Sequence, residues 1–301
     1  MAMAGRKAPA TTAASLELAR SAVLQNFELC GCIIAQSSLE TLAEQLLCVD
    51  RTFRDAVRAR LTVLMPSLRP LLAQPFGLAP FDMVDRYRRH LCLNHRGAKL
   101  GDEAVSTLAS ACVCGAFAFV QELHLQSNQV GDAGLVSLTE ACASGALARL
   151  TTLALGDNRI GDHGLAVLME ACAKKAGLLA RLRELQLYGN HIGTSGLTAL
   201  AAACAKGALP QLRNLFLDGN DIGDEGVVAL ADACSTHDAL PRLKKLWLQR
   251  NSIGDAGLTA LAKACNDGAL AECLYIGLDD NRGSWRANRA VSDALKNRAV
   301  G

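Results

Sequence analysis

The chain has 301 residues, 50% of them hydrophobic, and a formal net charge of +2 at neutral pH. This length and composition allow a large core and exclude a chain that is disordered throughout, while the small net charge excludes a polyanion binder by overall composition. No apolar run reaches the roughly 18 residues needed to cross a bilayer, so we expect no membrane partner.

Residues 1–16 consist mainly of Ala, Thr, Ser, Gly and basic residues, with no acid. Such a composition cannot bury a core, so we predict a disordered tail. A short organelle-targeting leader is the alternative, because Arg6, Lys7 and the missing acids fit one although the length does not.

Residues 17–82 have apolar side chains at helical spacing, which predicts a helical N-terminal region. Arg51, Arg54 and Arg58 recur three and four residues apart and form a basic stripe on one helix face. A solvated or ion-paired face explains this stripe, with an acidic partner or nucleic acid as the alternative. The lack of interleaved aromatic residues disfavours nucleic acid.

The segment from Leu46 to Phe53 resembles the second helix of an F-box. That resemblance implies an alternative function, a ubiquitin-ligase substrate adaptor.

Residues 83–301 contain a repeat marked by asparagines that are 30 to 32 residues apart. A fixed period of this length is typical of a solenoid, in which each unit buries its apolar face only against its neighbours. We expect a degenerate capping repeat at about 91–119, followed by repeats over about 120–301. The repeat asparagines, predicted to be structural, are Asn128, Asn158, Asn190, Asn220, Asn251 and Asn281.

Each repeat contains two hydrophobic periods in succession. Leu215 and Leu217 flank Phe216, which predicts a short strand with the leucines inward and the phenylalanine outward. A helical spacing then begins after Asp224, which we expect to cap the first turn of its own helix. Asp132, Asp162, Thr194 and Asp255 occupy the same position in other repeats, and the glycines beside them are expected to allow turn conformations.

The pattern L-x-x-L-x-L-x-x-N-x-I-G-D-x-G resembles the leucine-rich repeats of the ribonuclease-inhibitor-like subfamily, including those of Ran GTPase-activating proteins and NLR-type proteins. The resemblance covers about residues 91–301. It implies an α/β horseshoe with a concave parallel β-sheet and convex helices. It further implies a non-catalytic scaffold that binds a protein partner on the concave face.

Cysteines recur at one phase of consecutive predicted helices, which places them where helix meets sheet. Packed helices lie about 8–10 Å apart, too far for a disulfide, so we predict small buried apolar residues. No metal site and no cofactor are expected. The cysteine pairs Cys30/Cys32 and Cys112/Cys114 have CxC spacing, and no histidine lies at ligand spacing from them. So many free thiols favour a reducing compartment, the cytoplasm or alternatively the nucleus. The in-phase cysteines are Cys112, Cys142, Cys172, Cys204, Cys234 and Cys265.

The outward strand positions, which lie six, four and two residues before each asparagine, are free to vary and therefore carry the functional prediction. Only 4% of the chain is aromatic, yet four successive repeats place an aromatic residue on this surface. We predict a partner-binding hot spot rimmed by charged residues. The aromatic members are Tyr188, Phe216, Trp247 and Tyr275, and the charged members are Glu184, Asp218, Lys245 and Asp279.

Enzyme motifs are absent from the sequence: it has no phosphate-binding loop, nucleophile elbow or His-Glu-x-x-His. We therefore predict no catalytic residues. The resemblance implies one alternative, a GTPase-activating protein for a Ran-like small GTPase, with an arginine in a loop after a strand. Arg159 and Arg282 occupy such loops. The sequence leaves the identity of the partner and the oligomeric state open.

Overall fold

In a computed structural model of the chain, the described residues are 92–113, 120–175, 177–237 and 239–298. The predicted tail, the helical region at 17–82 with Arg51, Arg54 and Arg58, and the F-box resemblance lie outside these residues. Within the described ranges, no helix combines the length and apolarity that a membrane-spanning segment needs.

Strands and helices alternate strictly along the described chain, one of each per repeat. Seven three-residue strands form a single parallel sheet in sequence order. The strands are β1 (Cys92–Asn94), β2 (Glu122–His124), β3 (Thr152–Ala154), β4 (Glu184–Gln186), β5 (Asn214–Phe216), β6 (Lys245–Trp247) and β7 (Tyr275–Gly277). The helices are α1 (Asp102–Val113), α2 (Asp132–Ala143), α3 (Asp162–Lys174), α4 (Thr194–Ala205), α5 (Asp224–His237), α6 (Asp255–Asn266) and α7 (Trp285–Arg298).

The strands pair in register, so that equivalent residues of neighbouring repeats lie side by side. Leu185 aligns with Leu215, and Leu215 aligns with Leu246. These leucines are fully buried between sheet and helices, whereas the central outward residues Phe216 and Trp247 are partly exposed. The predicted alternation of inward and outward residues is therefore confirmed, as is the fold class: an α/β solenoid with the helices on one face of a parallel sheet. We call the other face of the sheet the concave face.

The in-phase cysteines are all buried, at the position predicted for small apolar residues in the core. Burial raises the pKa of the Cys142 and Cys172 thiols to about 12. Desolvation disfavours the thiolate, which is why a neutral thiol suits this position.

The repeat asparagines join neighbouring modules through backbone hydrogen bonds, as expected for a buried amide. Asn220 Nδ2 donates to Leu187 O of the preceding module at 2.9 Å and to Leu217 O of its own module at 3.0 Å. Its Oδ1 accepts a 3.0 Å bond from Ile192 N–H. The other five asparagines repeat this arrangement, so the asparagine column links each described module after the first to the one before it.

The acidic residues at the helix starts do not cap their own helices, contrary to the sequence prediction. Helices α2, α3, α4 and α6 begin after an N-cap glycine with no side-chain cap. Asp162 Oδ1 instead accepts hydrogen bonds from the N–H groups of Gly193 and Gly196 in the next module, at 2.7 and 2.8 Å. Each of these aspartates is the first residue of its own helix. Its carboxylate faces the N-terminus of the following helix, where it accepts hydrogen bonds from backbone N–H groups that have no partner within that helix.

The recurrent glycines before the helices are not turn residues either. Gly131, Gly161 and Gly193 have φ values of −103°, −105° and −102°, which any residue can adopt. Their lack of a side chain matters because the aspartate at the start of the preceding module's helix packs against them. A Cβ on Gly193 would lie 3.1 Å from Asp162 Oδ2. One left-handed position of the repeat is the residue before each asparagine. Its φ values are 56° at Ser127, 53° at Asp157, 62° at Gly189, 66° at Gly219, 51° at Arg250 and 58° at Asp280.

Candidate partner-binding site on the concave face

The predicted hot spot lies on the face of strands β4 to β7 that is opposite the described helices. Phe216 and Trp247 align directly across β5 and β6. Both are partly exposed, and Tyr275 is 41% exposed at the next strand. None of the three lies beneath the helices, because the flanking residues Leu215 and Leu246 occupy that side.

Three of the four predicted aromatic residues form a contiguous cluster. The rings of Phe216 and Trp247 stack with centroids 3.9 Å apart and planes inclined by 8°. Tyr275 meets Trp247 at 5.7 Å with a tilt of 54°. The stack explains why the first two rings are only partly exposed: each covers one face of the other. We call Phe216, Trp247 and Tyr275 the aromatic cluster.

Polar groups surround the aromatic cluster at its edges. Lys245 Nζ lies 5.7 Å from the Trp247 ring centroid, within reach of a cation–π interaction. Gln249 Nε2 donates to Tyr275 Oη at 3.2 Å. The Gln249 side chain lies directly over Gly277, where a Cβ would collide with it. Asp279 is exposed on the same side of β7.

The fourth predicted aromatic residue, Tyr188, stands apart from the cluster. Its ring lies over Gly156 of the preceding module, where any larger residue would collide with it. Burial is the main factor that raises the pKa of the Tyr188 hydroxyl, and the nearby carboxylates of Asp157 and Asp218 raise it further, against Arg96. Burial likewise raises the pKa of Asp218, opposed by its backbone hydrogen bond and by Arg250.

Comparison with known proteins agrees with this repeated geometry. The profile described as Leucine Rich repeat matches residues 118–138, 149–169, 181–201, 210–231 and 240–262. Each match includes the strand and at least the first turns of the helix of one module. The described chain is a leucine-rich-repeat solenoid.

Among solved structures that match is an internalin (inlF) from Listeria monocytogenes, at 20% sequence identity and a TM-score of 0.38. The match covers 62% of this chain and 48% of the internalin chain, so this chain spans less than half of that structure's length. Comparison with curated protein sequences gives no match.

The N-terminal half of the solenoid's concave face is polar and internally hydrogen-bonded. Glu184 bonds to Gln186 and accepts a 3.2 Å hydrogen bond from Asn214 Nδ2. Gln186 Oε1 accepts a 3.0 Å bond from Gln126 Nε2. Two buried amide oxygens on this face, Gln126 Oε1 and Gln249 Oε1, have no hydrogen-bond partner among the described residues. Glu184 therefore belongs to a polar network rather than to the rim of the aromatic cluster.

The two loop arginines named by the GTPase-activating alternative are accessible on the solenoid. Arg159 and Arg282 are exposed in the loops that follow β3 and β7. In the described ranges, no group of three His, Cys, Asp or Glu residues is placed to hold a metal ion.

The sequence prediction missed two basic rows at the edge of the solenoid where the strands begin. They occupy the positions seven and nine residues before each repeat asparagine, outside the outward columns considered for binding. The signal was present in the sequence as basic residues in phase with the repeat. The rows contain Arg183, Arg213 and Lys244 at the first position and Arg149, Arg181 and Arg242 at the second.

Proposed function

We propose that this solenoid is a non-catalytic interaction protein that binds a protein partner on its concave face through the aromatic cluster. The observation that carries the proposal is the stacked pair of Phe216 and Trp247 on the sheet face opposite the described helices. Aromatic side chains that are rigid and already packed lose little conformational entropy on binding, and Trp and Tyr are enriched at interface hot spots.

The surroundings of the aromatic cluster suit a peptide-bearing partner. Gln249 Nε2 and Tyr275 Oη, which are hydrogen-bonded to each other at 3.2 Å, place polar groups beside the rings. Lys245 is exposed at the start of β6, and Asp279 is exposed just after the end of β7. Both can form charged contacts at the rim. A central apolar contact with a polar rim is the usual anatomy of a specific interface.

The decisive experiment compares captured proteins between matched variants. Wild-type protein and the Phe216→Ala/Trp247→Ala variant are immobilised and exposed to lysate of the native cell, and bound proteins are quantified by mass spectrometry. We expect a defined set of partners to be lost from the variant but retained by the concave-face control His124→Ala. Equal capture by wild type and the double variant would falsify the proposal, provided that circular dichroism shows both folded.

The GTPase-activating alternative is separated by a single-turnover GTP hydrolysis assay with Ran. A non-catalytic scaffold gives no acceleration over Ran alone. Acceleration that disappears in Arg159→Ala or Arg282→Ala would instead establish the alternative, because a catalytic arginine of that kind supplies about 10³–10⁵ in rate.

We further propose that the repeats are of the ribonuclease-inhibitor-like kind. Support comes from the helices, which run for 12 to 14 residues in every described module. These helices account for a period of about 30 residues, slightly longer than the roughly 20–29 typical of leucine-rich repeats.

A further inference from the structure

We propose that the strand-entry edge of the sheet carries a second docking groove, which binds an acidic segment of a protein partner. The groove has a volume of about 680 Å³ and is lined by the arginines Arg149, Arg181, Arg183 and Arg213. It lies beside β2 to β5, whereas the aromatic cluster lies on the concave face of β5 to β7. The inference therefore stands independently of the proposed function.

The backbone fixes the spacing of the basic side chains. Arg213 N–H donates to Arg183 O at 2.8 Å, and Lys244 N–H donates to Arg213 O at 2.7 Å. The three residues thus start from adjacent strands of one hydrogen-bonded ladder, roughly 4.8 Å apart. Such a row presents charges at a regular interval along a line that crosses the strands.

Three of the four arginines that line the groove have no acidic partner among the described residues. Arg181, Arg183 and Arg213 form no ion pair with any residue in the described part of the chain. The two carboxylates that line the groove have other partners: Glu184 bonds to Gln186 and Asn214, and Glu122 Oε2 lies 3.3 Å from His124 Nε2. The guanidinium groups of these three arginines are consequently available to an external anion.

The chemistry of the groove favours carboxylates on a peptide over a nucleic acid. Guanidinium groups match carboxylates in paired, charge-assisted hydrogen bonds. Amide and hydroxyl side chains between the arginines, from Thr151, Gln211 and Asn214, suit a peptide backbone. None of the described residues that line the groove is aromatic and able to stack a base, and Glu122 and Glu184 would repel a continuous phosphate chain.

The test uses a fluorescein-labelled (Glu-Gly)₅ peptide and the full-length protein, with binding measured by anisotropy at low and physiological salt. The wild type is expected to bind (Glu-Gly)₅ and not (Gln-Gly)₅, with affinity that falls as salt rises. The double variant Arg183→Ser/Arg213→Ser should lose about tenfold or more in affinity. Arg286→Ser/Arg289→Ser, which removes the same charge from exposed positions of α7, should change it less than about twofold.

Three outcomes would overturn the inference. Equal losses in the two arginine variants would show nonspecific charge attraction, and equal binding of (Gln-Gly)₅ would show that carboxylates are not recognised. Tighter binding of (dT)₁₀ than of (Glu-Gly)₅ would assign the groove to nucleic acid. The variant Phe216→Ala/Trp247→Ala should bind (Glu-Gly)₅ like wild type, so failure of the groove and failure of the aromatic cluster are distinguishable.

Discussion

The carboxylate of Asp224 accepts a 2.9 Å hydrogen bond from the backbone N–H of Gly257, which lies in the first turn of the next module's helix. The same oxygen accepts a 2.6 Å bond from Gly254 N–H. One side chain thus satisfies two orphan donors of a neighbouring helix and places a negative charge at its N-terminus. The contact couples modules on the helix side of the sheet, as the asparagines do at the end of each strand.

Replacing Asp224 with Ala should lower the free energy of unfolding by about 2 kcal/mol, because two charge-assisted hydrogen bonds are lost from a partly exposed site. Asp224→Asn should cost about half as much, since its amide oxygen still accepts. Urea denaturation followed by circular dichroism measures both. Asp232→Ala, at an exposed position of α5, is the control and should stay within about 0.5 kcal/mol of wild type.

Alanine at Gly254 should be destabilising because its Cβ would lie 2.7 Å from Asp224 Oδ2. The carboxylate can move away only by giving up its bonds to the next helix, so we expect a loss of about 1–2 kcal/mol. Gly101 has the same place in the first described module, but no described residue beyond its chain neighbours has an atom within 4 Å of its Cβ position. Gly101→Ala should therefore leave the urea midpoint unchanged.

A double-mutant cycle tests the reason for that loss. In an Asp224→Ala background, Gly254→Ala should be nearly neutral, so the two substitutions should show a coupling of about 1 kcal/mol or more. Additive effects would show that Gly254 is required for some reason other than the aspartate.

The inter-module role of Asp224 also marks the limit of what the sequence could predict. The period, the alternation around Leu215 and the helical spacing after Asp224 determine one module, and those predictions are confirmed. Which neighbour the carboxylate faces depends on how far successive helices are staggered, and that follows from packing of the whole stack. Local rules therefore assigned the aspartate to its own helix.

The residues of the concave face likewise include some features that the sequence predicted and some that it could not. Strand parity placed Phe216 and Trp247 on one surface, and their shared position four residues before the repeat asparagine placed them side by side. Parity does not determine side-chain torsions, so the prediction missed that Tyr188 lies over Gly156 rather than in the cluster. The basic rows near Arg183 and Arg213 were in phase with the repeat but lay just before the strands, outside the predicted outward columns.

Asn251→Ala should be among the most destabilising single changes, at about 2–4 kcal/mol. The side chain is 8% exposed and bonds to Leu217 O at 2.9 Å, Leu248 O at 3.1 Å and Ile222 N at 3.0 Å. Its removal leaves buried backbone groups in two modules without partners. Urea denaturation at neutral pH gives the comparison with wild type.

Asn281 provides an internal comparison for this prediction. It makes the equivalent bonds to Leu248 O and Leu278 O but is partly exposed in the last described module. Water can replace part of its bonding, so Asn281→Ala should cost about half as much as Asn251→Ala or less. Equal losses would contradict the view that burial sets the cost.

Phe216→Ala and Leu215→Ala should differ in stability although the residues are adjacent. Leu215 is fully buried, so its truncation should cost about 2–5 kcal/mol. Phe216 loses mainly its stacking on Trp247 at a partly exposed site, which is worth about 1–2 kcal/mol. The urea midpoints of the two variants test this order. A larger loss for Phe216→Ala would mean that the aromatic cluster is part of the core rather than a surface held for a partner.

The cysteines predict a loss of stability in alkali. The pKa of the Cys142 and Cys172 thiols is raised from 9.0 to about 12 by burial in the folded state. Their contribution is fully present below about pH 9 and is lost as pH rises toward 12, because the unfolded chain then releases protons that the folded chain retains. The Cys142→Ala/Cys172→Ala variant should therefore show a shallower decline of urea midpoint across this range than wild type.

Iodoacetamide at about pH 8 gives an independent readout of the Cys142 and Cys172 thiols. Peptides containing either cysteine should remain unmodified in the native protein and become alkylated in guanidinium, since only the thiolate reacts. Rapid native alkylation of both would contradict their burial.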